Sequence, residues 1–231
     1  MTLKVLSWNI WFYGNLKKVN EFLENCNADI IGLQEVMMGD KKIQISTRLT
    51  EELGYKYVYA PAFQYPINGI PTTIGNAILS RYPILSSKIH TLSENEKRVA
   101  IQADIQIGNN TFHIFNTHLL HTHQQPSEVQ ELEATNLVNV LTPKKTVLMG
   151  DFNALPESNA IQIISKKMKN TDSNLLPTWS IYPQGCEGCL PKGILYKLDN
   201  IFISADIKNS SFKVEKSKAS DHLPVSTLLE I

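Results

Sequence analysis

Short apolar runs broken by polar residues dominate the chain, and their spacing predicts many strands and few helices. Residues 3–7 read as a strand. Leu16–Asn25 places Leu16, Val19, Phe22 and Leu23 on one stripe, the spacing of an amphipathic helix. Residues 29–33 form a short apolar strand that ends at Gln34-Glu35. Residues 42–53 read as a second helix stopped by Gly54, and residues 55–59 as the next strand. Residues 60–73 are rich in Pro, Gly and aromatics without a period, and are expected to form a surface loop of the kind that carries function. Residues 76–80, 84–92, 100–107 and 111–116 follow as strands, the last two joined by a turn at Asn109-Asn110. Residues 127–141 have helical spacing, with Pro126 just ahead. Residues 146–149 read as a strand, 160–168 as a helix, and 198–203 and 225–229 as closing strands. With no repeat or long linker, this order predicts one mixed α/β domain over residues 1–231, its sheets packed face to face and its helices outside.

Composition narrows the class. The 231 residues are 42% hydrophobic and 19% charged, the range of a globular chain with a sizeable core. Lys plus Arg and Asp plus Glu number 22 each, so the basic surplus that usually accompanies tight binding of duplex nucleic acid is missing. Cys186-Glu-Gly-Cys189 has the spacing of half a zinc site, but no second pair of ligands follows, and no role is expected for it. The N-terminus lacks the apolar core of a signal peptide, and no run approaches the ~18 apolar residues of a membrane span. A cytoplasmic monomer is expected.

The informative pattern is where polar residues fall. Apolar strands end in Asn9, in Gln34-Glu35, in Asn116-Thr117-His118 and in Gly150-Asp151-Phe152-Asn153. Leu198-Asp199-Asn200 and Ser220-Asp221-His222 come later. Each has an ordinary reading alone: a solvated Glu35, a turn-forming Asn9, a capping Asp151, a structural His118. Together they can partner one another or a cation if the strand ends meet on one rim, which offsets the cost of burying them. Strand alternation puts Asp151 and Asn153 on one side and Phe152 on the other. Mg²⁺ prefers oxygen ligands and takes one or two carboxylates plus substrate phosphate, which suits Glu35 and Asp151.

Seven segments then align in order: Ser7-Trp8-Asn9-Ile10, Leu33-Gln34-Glu35-Val36, Asn76-Ala77-Ile78-Leu79-Ser80, Asn116-Thr117-His118-Leu119, Gly150-Asp151-Phe152-Asn153, Leu198-Asp199-Asn200-Ile201-Phe202 and Ser220-Asp221-His222. This series resembles the endonuclease/exonuclease/phosphatase superfamily, which includes DNase I, apurinic endonucleases, sphingomyelinases, inositol-polyphosphate phosphatases and deadenylases. The resemblance implies a four-layered α/β sandwich of two mixed β-sheets. It also implies a hydrolase that attacks a phosphate ester in line with an activated water, with magnesium as cofactor and manganese as a substitute. By position, Glu35 resembles the principal metal-binding glutamate and Asn9 its neighbour in the metal and phosphate shell. Asp151 resembles the residue that orients or deprotonates water and a further metal ligand. Asn153 resembles a phosphate-oxygen donor. His222 matches the catalytic histidine, Asp199 the carboxylate that orients it, and Asp221 a second-site metal or water ligand. His118 matches a histidine that contacts the phosphate in the DNase I and sphingomyelinase branches. Glu96, ahead of Arg98, resembles an acid that partners that histidine. Trp11 stands where apurinic endonucleases carry an acid, and His118 where they carry a tyrosine; both move the chain away from abasic-site repair.

The ester's identity rests with loops. Residues 61–73 offer Phe63 and Tyr65, residues 121–125 are a second candidate loop, and residues 179–197 offer Trp179, Tyr182, Lys192, Tyr196 and Lys197. The reading favours a nuclease-like phosphodiesterase on single-stranded or short nucleic acid. The runner-up is a sphingomyelinase-like or inositol or lipid phosphatase. A catalytically dead binding scaffold is disfavoured by the intact set of site residues.

Overall fold

Val, Ile and Leu crowd the strands of this chain, and in most of them both faces are buried. A computed structural model describes residues 1–39, 42–182 and 193–231; Cys186, Cys189 and Lys192 lie outside the described residues. The first sheet holds β1 (Thr2–Asn9), β2 (Ile30–Gly39), β3 (Lys42–Ile43), β4 (Lys56–Ile67), β5 (Ile70–Ser80), β12 (Lys208–Val214) and β13 (Val225–Glu230). Its order is β12-β13-β1-β2-β5-β4, with β3 paired to β2. The second sheet holds β6 (Ile84–Ser93), β7 (Arg98–Ile107), β8 (Asn110–His118), β9 (Thr146–Asp151), β10 (Lys169–Asn170) and β11 (Asp199–Ile203), in the order β10-β11-β9-β8-β7-β6. The pairs β1–β2 and β8–β9 are parallel and the others antiparallel, so both sheets are mixed.

Alternation explains the layers. Leu3, Val5, Ile30 and Ile78 of the first sheet face Ile101, Ile114, Val147, Met149 and Ile201 of the second in one core. The neighbouring positions Leu6, Trp8, Ile31 and Leu33 point outward, where Val19 and Leu23 of α1 (Leu16–Asn25) and Leu49 of α2 (Thr47–Glu51) cover them. Phe115, Leu148 and Phe152 are covered in turn by α3 (Glu128–Val140) and α4 (Asn159–Ser165). The result is the expected sandwich of two sheets between outer helices. A polar seam crosses its middle. The Gln34 amide donates to Asn116 Oδ1 at 2.6 Å and to Ser7 Oγ at 3.2 Å, while the Asn116 amide donates to the Leu33 and Ala77 carbonyls. Among the described residues no helix is long and apolar enough to cross a membrane.

Helix α1 has the expected bounds, and Asn15 caps it by accepting from the Lys18 N–H. The segment 42–53 differs. Ser46 accepts from the Arg48 N–H and starts a helix only at Thr47, and Lys42–Ile43 pairs with β2 instead. Residues 60–73 are not a loop. They continue β4 and β5 as a long hairpin closed by Ile67↔Ile70. Asn68 and Gly69, at φ +50° and +79°, make the two-residue left-handed turn that matches strand twist. Pro61 and Pro66 are tolerated because β4 is an edge strand, and Pro71 because it lies in β5 beyond Thr73, the last residue paired with β2. The turn before β8 falls at Gly108-Asn109, one residue early, because Gly108 takes φ +58°. Strands β10 and β12 carry no sequence expectation; β12 is a polar edge strand with little buried surface.

Gly150 sets the contact between β8 and β9. It has φ +155°, and a Cβ there would lie 2.1 Å from the Thr117 carbonyl oxygen. Gly150→Ala should destabilise the fold by about 1–3 kcal/mol, a fall of several degrees in Tm for a chain this long. Thermal unfolding checks this, and an unchanged Tm would show that the two strands can part without cost.

Candidate active site

Two parallel strand pairs bring their C-terminal ends to one edge of the sandwich. Asn9 aligns with Gln34 across β1–β2, and His118 with Asp151 across β8–β9. Asp199 aligns with Asp151 across β9–β11. Glu35 sits at an irregularity in the β2–β5 ladder, between Leu33 and Val36, with φ +59°. This bulge turns the carboxylate out of the pleat and into a cleft of about 330 Å³. Ser220 holds the last segment by donating to the Asn9 carbonyl at 2.7 Å and accepting from the His222 N–H at 3.1 Å.

The Asn9 amide donates to Glu35 Oε1 and to Asp151 Oδ2, each at 3.0 Å. Its oxygen accepts from the Trp11 N–H. Asp151 Oδ1 accepts from the Asn153 N–H at 2.9 Å, while Oδ2 lies 3.4 Å from His118 Nε2 and 3.6 Å from His222 Nε2. His222 Nδ1 is 2.9 Å from Asp199 Oδ2. Asp221 accepts from the Trp179 indole at 2.9 Å. Asn153, at φ +49°, contacts His121 through its oxygen and donates to the Leu119 carbonyl. Beneath this loop the Gln130 amide of α3 reaches the carbonyls of Leu120, Phe152 and Asn153 at 2.8, 3.3 and 3.0 Å. The eight residues expected at the site, Asn9, Glu35, His118, Asp151, Asn153, Asp199, Asp221 and His222, therefore converge. Phe152 points into the core, as alternation requires.

The sequence profile described as the Endonuclease/Exonuclease/phosphatase family matches residues 6–222. The chain belongs to that family. Solved structures agree on the fold. An endonuclease/exonuclease/phosphatase of Bacteroides vulgatus is 21% identical with a TM-score of 0.77, over 100% of this chain and 99% of its own. The human Nocturnin catalytic domain, solved with bound sulfate, is 20% identical with a TM-score of 0.71, over 99% of this chain and 93% of its own. A mannosyl-6-phosphatase of Bacteroides thetaiotaomicron is 17% identical with a TM-score of 0.72, over 99% of this chain and 100% of its own. No curated protein matches the chain.

Within this family member the cleft also contains residues that sequence reasoning did not place. Trp11, Phe12, Arg98, His121 and His123 line it beside Phe63 and Trp179. Arg98 packs over the Phe63 ring, 5.7 Å from its centroid. Glu96 is exposed in the turn before β7 and does not line the cleft, so its expected pairing with His118 is not carried by the cleft. Lys197, expected on a surface loop, is 3% exposed and pairs with Asp172 at 2.9 Å. A neighbouring hollow of about 260 Å³ beside α3 contains Glu131 and Glu157 but no histidine or cation among the described residues.

Charge divides the two histidines. Burial disfavours the His222 cation, but Asp199, Asp151 and Asp221 outweigh it and keep the ring protonated well above the usual range. Burial, with the Arg98 and His222 charges, pushes His118 well below that range. Burial and the Asp221 charge push Glu35 up to about 7, and burial raises Asp151 as well. The described His and carboxylate atoms that cluster most tightly are those of Asp151, Asp199 and His222. His222 Nδ1 takes up Asp199 Oδ2 and lies between that carboxylate and the cleft, so the oxygens of Glu35, Asn9, Asp151 and Asp221 are the better donors for a hard cation.

The Glu35 carboxyl gives a stability test. An acid whose folded pKa, about 7, exceeds its ordinary 4.5 stabilises the fold below 4.5 and loses that contribution as pH rises through 7. Glu35→Gln lacks that loss. In chelator, its Tm relative to wild type should rise between pH 4.5 and 7.5; a difference flat across that window would contradict the raised pKa.

Proposed function

We propose that the chain is a divalent-cation-dependent phosphodiesterase, with magnesium as the resident ion and manganese as a substitute, working as one domain over residues 1–231 on nucleic acid. The observation that carries this reading is the linkage of His222, Asp199, Asp151, Asn9 and Glu35 at 2.9–3.6 Å along one rim. The donor set fits a hard cation, since oxygens dominate and the buried carboxylates lean toward their protonated forms without one. Glu35 and Asn9 would hold the ion, with Asp151 and Asp221 beside it. A bound cation would neutralise a non-bridging phosphate oxygen and the charge growing on the leaving oxygen.

The chain's own residues supply the rest. His222 holds its proton at neutral pH, so it donates to a phosphate oxygen, with Asp199 fixing its ring. That leaves Asp151 to orient the attacking water and take its proton. Asn153 and the neutral His118 are donors to phosphate, and Arg98 adds a cation at the same cleft. A diester is favoured over a monoester because a second hollow adjoins the cleft at Trp11, giving room for an alcohol on either side of phosphorus.

With Mg²⁺ or Mn²⁺ the protein should hydrolyse methyl 4-nitrophenyl phosphate and single-stranded DNA or RNA faster than glucose 6-phosphate or sphingomyelin, and chelator should stop it. Asp151→Asn and His222→Ala should each lower kcat by about 10²–10⁴-fold; wild-type rates in either variant would sink the assignment. Because protons compete for Glu35, Mg²⁺ should raise Tm more at pH 8 than at pH 5.5. Equal shifts at both would remove Glu35 from the ion's donors.

A further inference from the structure

The catalytic cleft does not end at Trp11. On the other side of that ring lies a hollow of about 410 Å³, bounded by Trp11, Tyr13, Tyr182, Lys18 and Lys218. Trp11 lines both cavities, so the two adjoin across its ring. The rings are 6.1 Å apart between Trp11 and Tyr182, tilted by 33°, with Tyr13 edge-on to Trp11 at 6.2 Å.

These faces are fixed before any ligand arrives. Trp11 sits at φ +51°, a region that a bulky aromatic adopts only at a cost. Its N–H donates to Asn9 Oδ1 at 3.0 Å, and its carbonyl accepts from Gly14 at 2.5 Å. Gly14 has no room for a side chain, since a Cβ would lie 2.4 Å from the Ile10 oxygen and 2.7 Å from that of Ala219. Tyr182 donates its hydroxyl to the Lys218 carbonyl at 2.5 Å, and its backbone is bonded on both sides to Ser180 Oγ. Lys218 lies two residues before Ser220 of the catalytic turn, so the hollow is tied to the site itself. Lys18 and Lys218 are exposed at its rim, and neither forms an ion pair among the described residues.

Fixed aromatic faces beside flexible cations suit a planar ring carried next to a phosphate. A base inside a duplex is already stacked and paired, so the ring must be unpaired. The hollow is concave with two lysines at its rim, unlike the convex apolar surface that enters a lipid layer. We propose that it is a nucleotide subsite: Trp11 and Tyr182 stack an unpaired nucleobase adjoining the scissile phosphate, and Lys18 and Lys218 hold the next phosphate. The proposal rests on the phosphodiesterase reading above.

Two esters with the same leaving group separate the ideas: thymidine 5′-(4-nitrophenyl phosphate) and methyl 4-nitrophenyl phosphate. In wild type with Mg²⁺, kcat/KM should favour the base-bearing ester by roughly tenfold or more. In Tyr182→Leu that preference should collapse to about twofold or less. The ratio is taken within one protein, so partial loss of folded enzyme cancels. A preference near one in wild type, or one unaltered by Tyr182→Leu, overturns the subsite. Hydrolysis of neither ester would remove the phosphodiesterase reading, and the subsite is then judged on binding. Calorimetry with phosphorothioate trithymidylate should show roughly tenfold weaker binding in Tyr182→Leu, and in Lys18→Ala/Lys218→Ala a smaller salt dependence. Equal affinity in wild type and Tyr182→Leu overturns the proposal. So does retention on phosphatidylglycerol vesicles that Tyr182→Leu abolishes while trithymidylate binding stays unchanged, since it would assign the hollow to a lipid surface.

Discussion

One amide holds the two halves of this site together. The Asn9 side chain gives one hydrogen to Glu35, on its own sheet, and the other to Asp151, on the opposite sheet. Burial makes both acids resist ionisation, and the neighbouring Asp221 and Asp199 charges add to that resistance at Glu35 and Asp151 respectively. The amide is neutral, but its two N–H groups favour the ionised form of each acid and so offset part of the burial that opposes it. Asn9 also accepts from Trp11, which sets the loop that forms the wall between the two cavities. Removing this side chain would release three contacts on two sheets at once.

The bridge works because the sheets are registered beneath it. The seam of Ser7, Gln34 and Asn116 lies one step below the rim, where buried polar groups must be paired and so admit few arrangements. Each sheet contributes one parallel pair at this point, and parallel neighbours end on the same side. The rim is thus a product of topology, with the polar seam fixing how the two sheets meet. Charge then separates the roles. Three carboxylates surround His222 and keep it cationic, while His118 faces Arg98 and stays neutral, so two histidines about one carboxylate do different work.

The sequence made the sandwich and the core of the site legible. Strand-end polar residues and their order located Asn9, Glu35, His118, Asp151, Asn153, Asp199, Asp221 and His222. What it hid has physical causes. Asn68-Gly69 is a strong turn signal, but the surrounding prolines and aromatics lack strand alternation, and only the edge position of β4 makes them compatible with a hairpin. The outward swing of Glu35 depends on a bulge that no local preference announces. Arg98 reaches the cleft through tertiary convergence, and Trp11 through a left-handed turn after Asn9 that its residue type does not announce. Lys197 reads as a loop cation because its partner, Asp172, is distant in the chain. Strand β12 is polar on an edge, where alternation carries little burial.

The Gln130 side chain has two amide hydrogens and three carbonyl oxygens within reach, two on the backbone that carries Asn153 and one, Leu120, on the segment after His118. An outer helix, separated from the cleft by a layer of sheet, is thereby part of the scaffold of the reacting groups. Its packing and its chemistry cannot drift independently. A change that shifts α3 by a fraction of a turn would be absorbed first by these shared bonds, and would register as lost alignment before it registered as lost stability. The tolerance of this enzyme to redesign should accordingly be lower on its α3 face than distance from the cleft suggests.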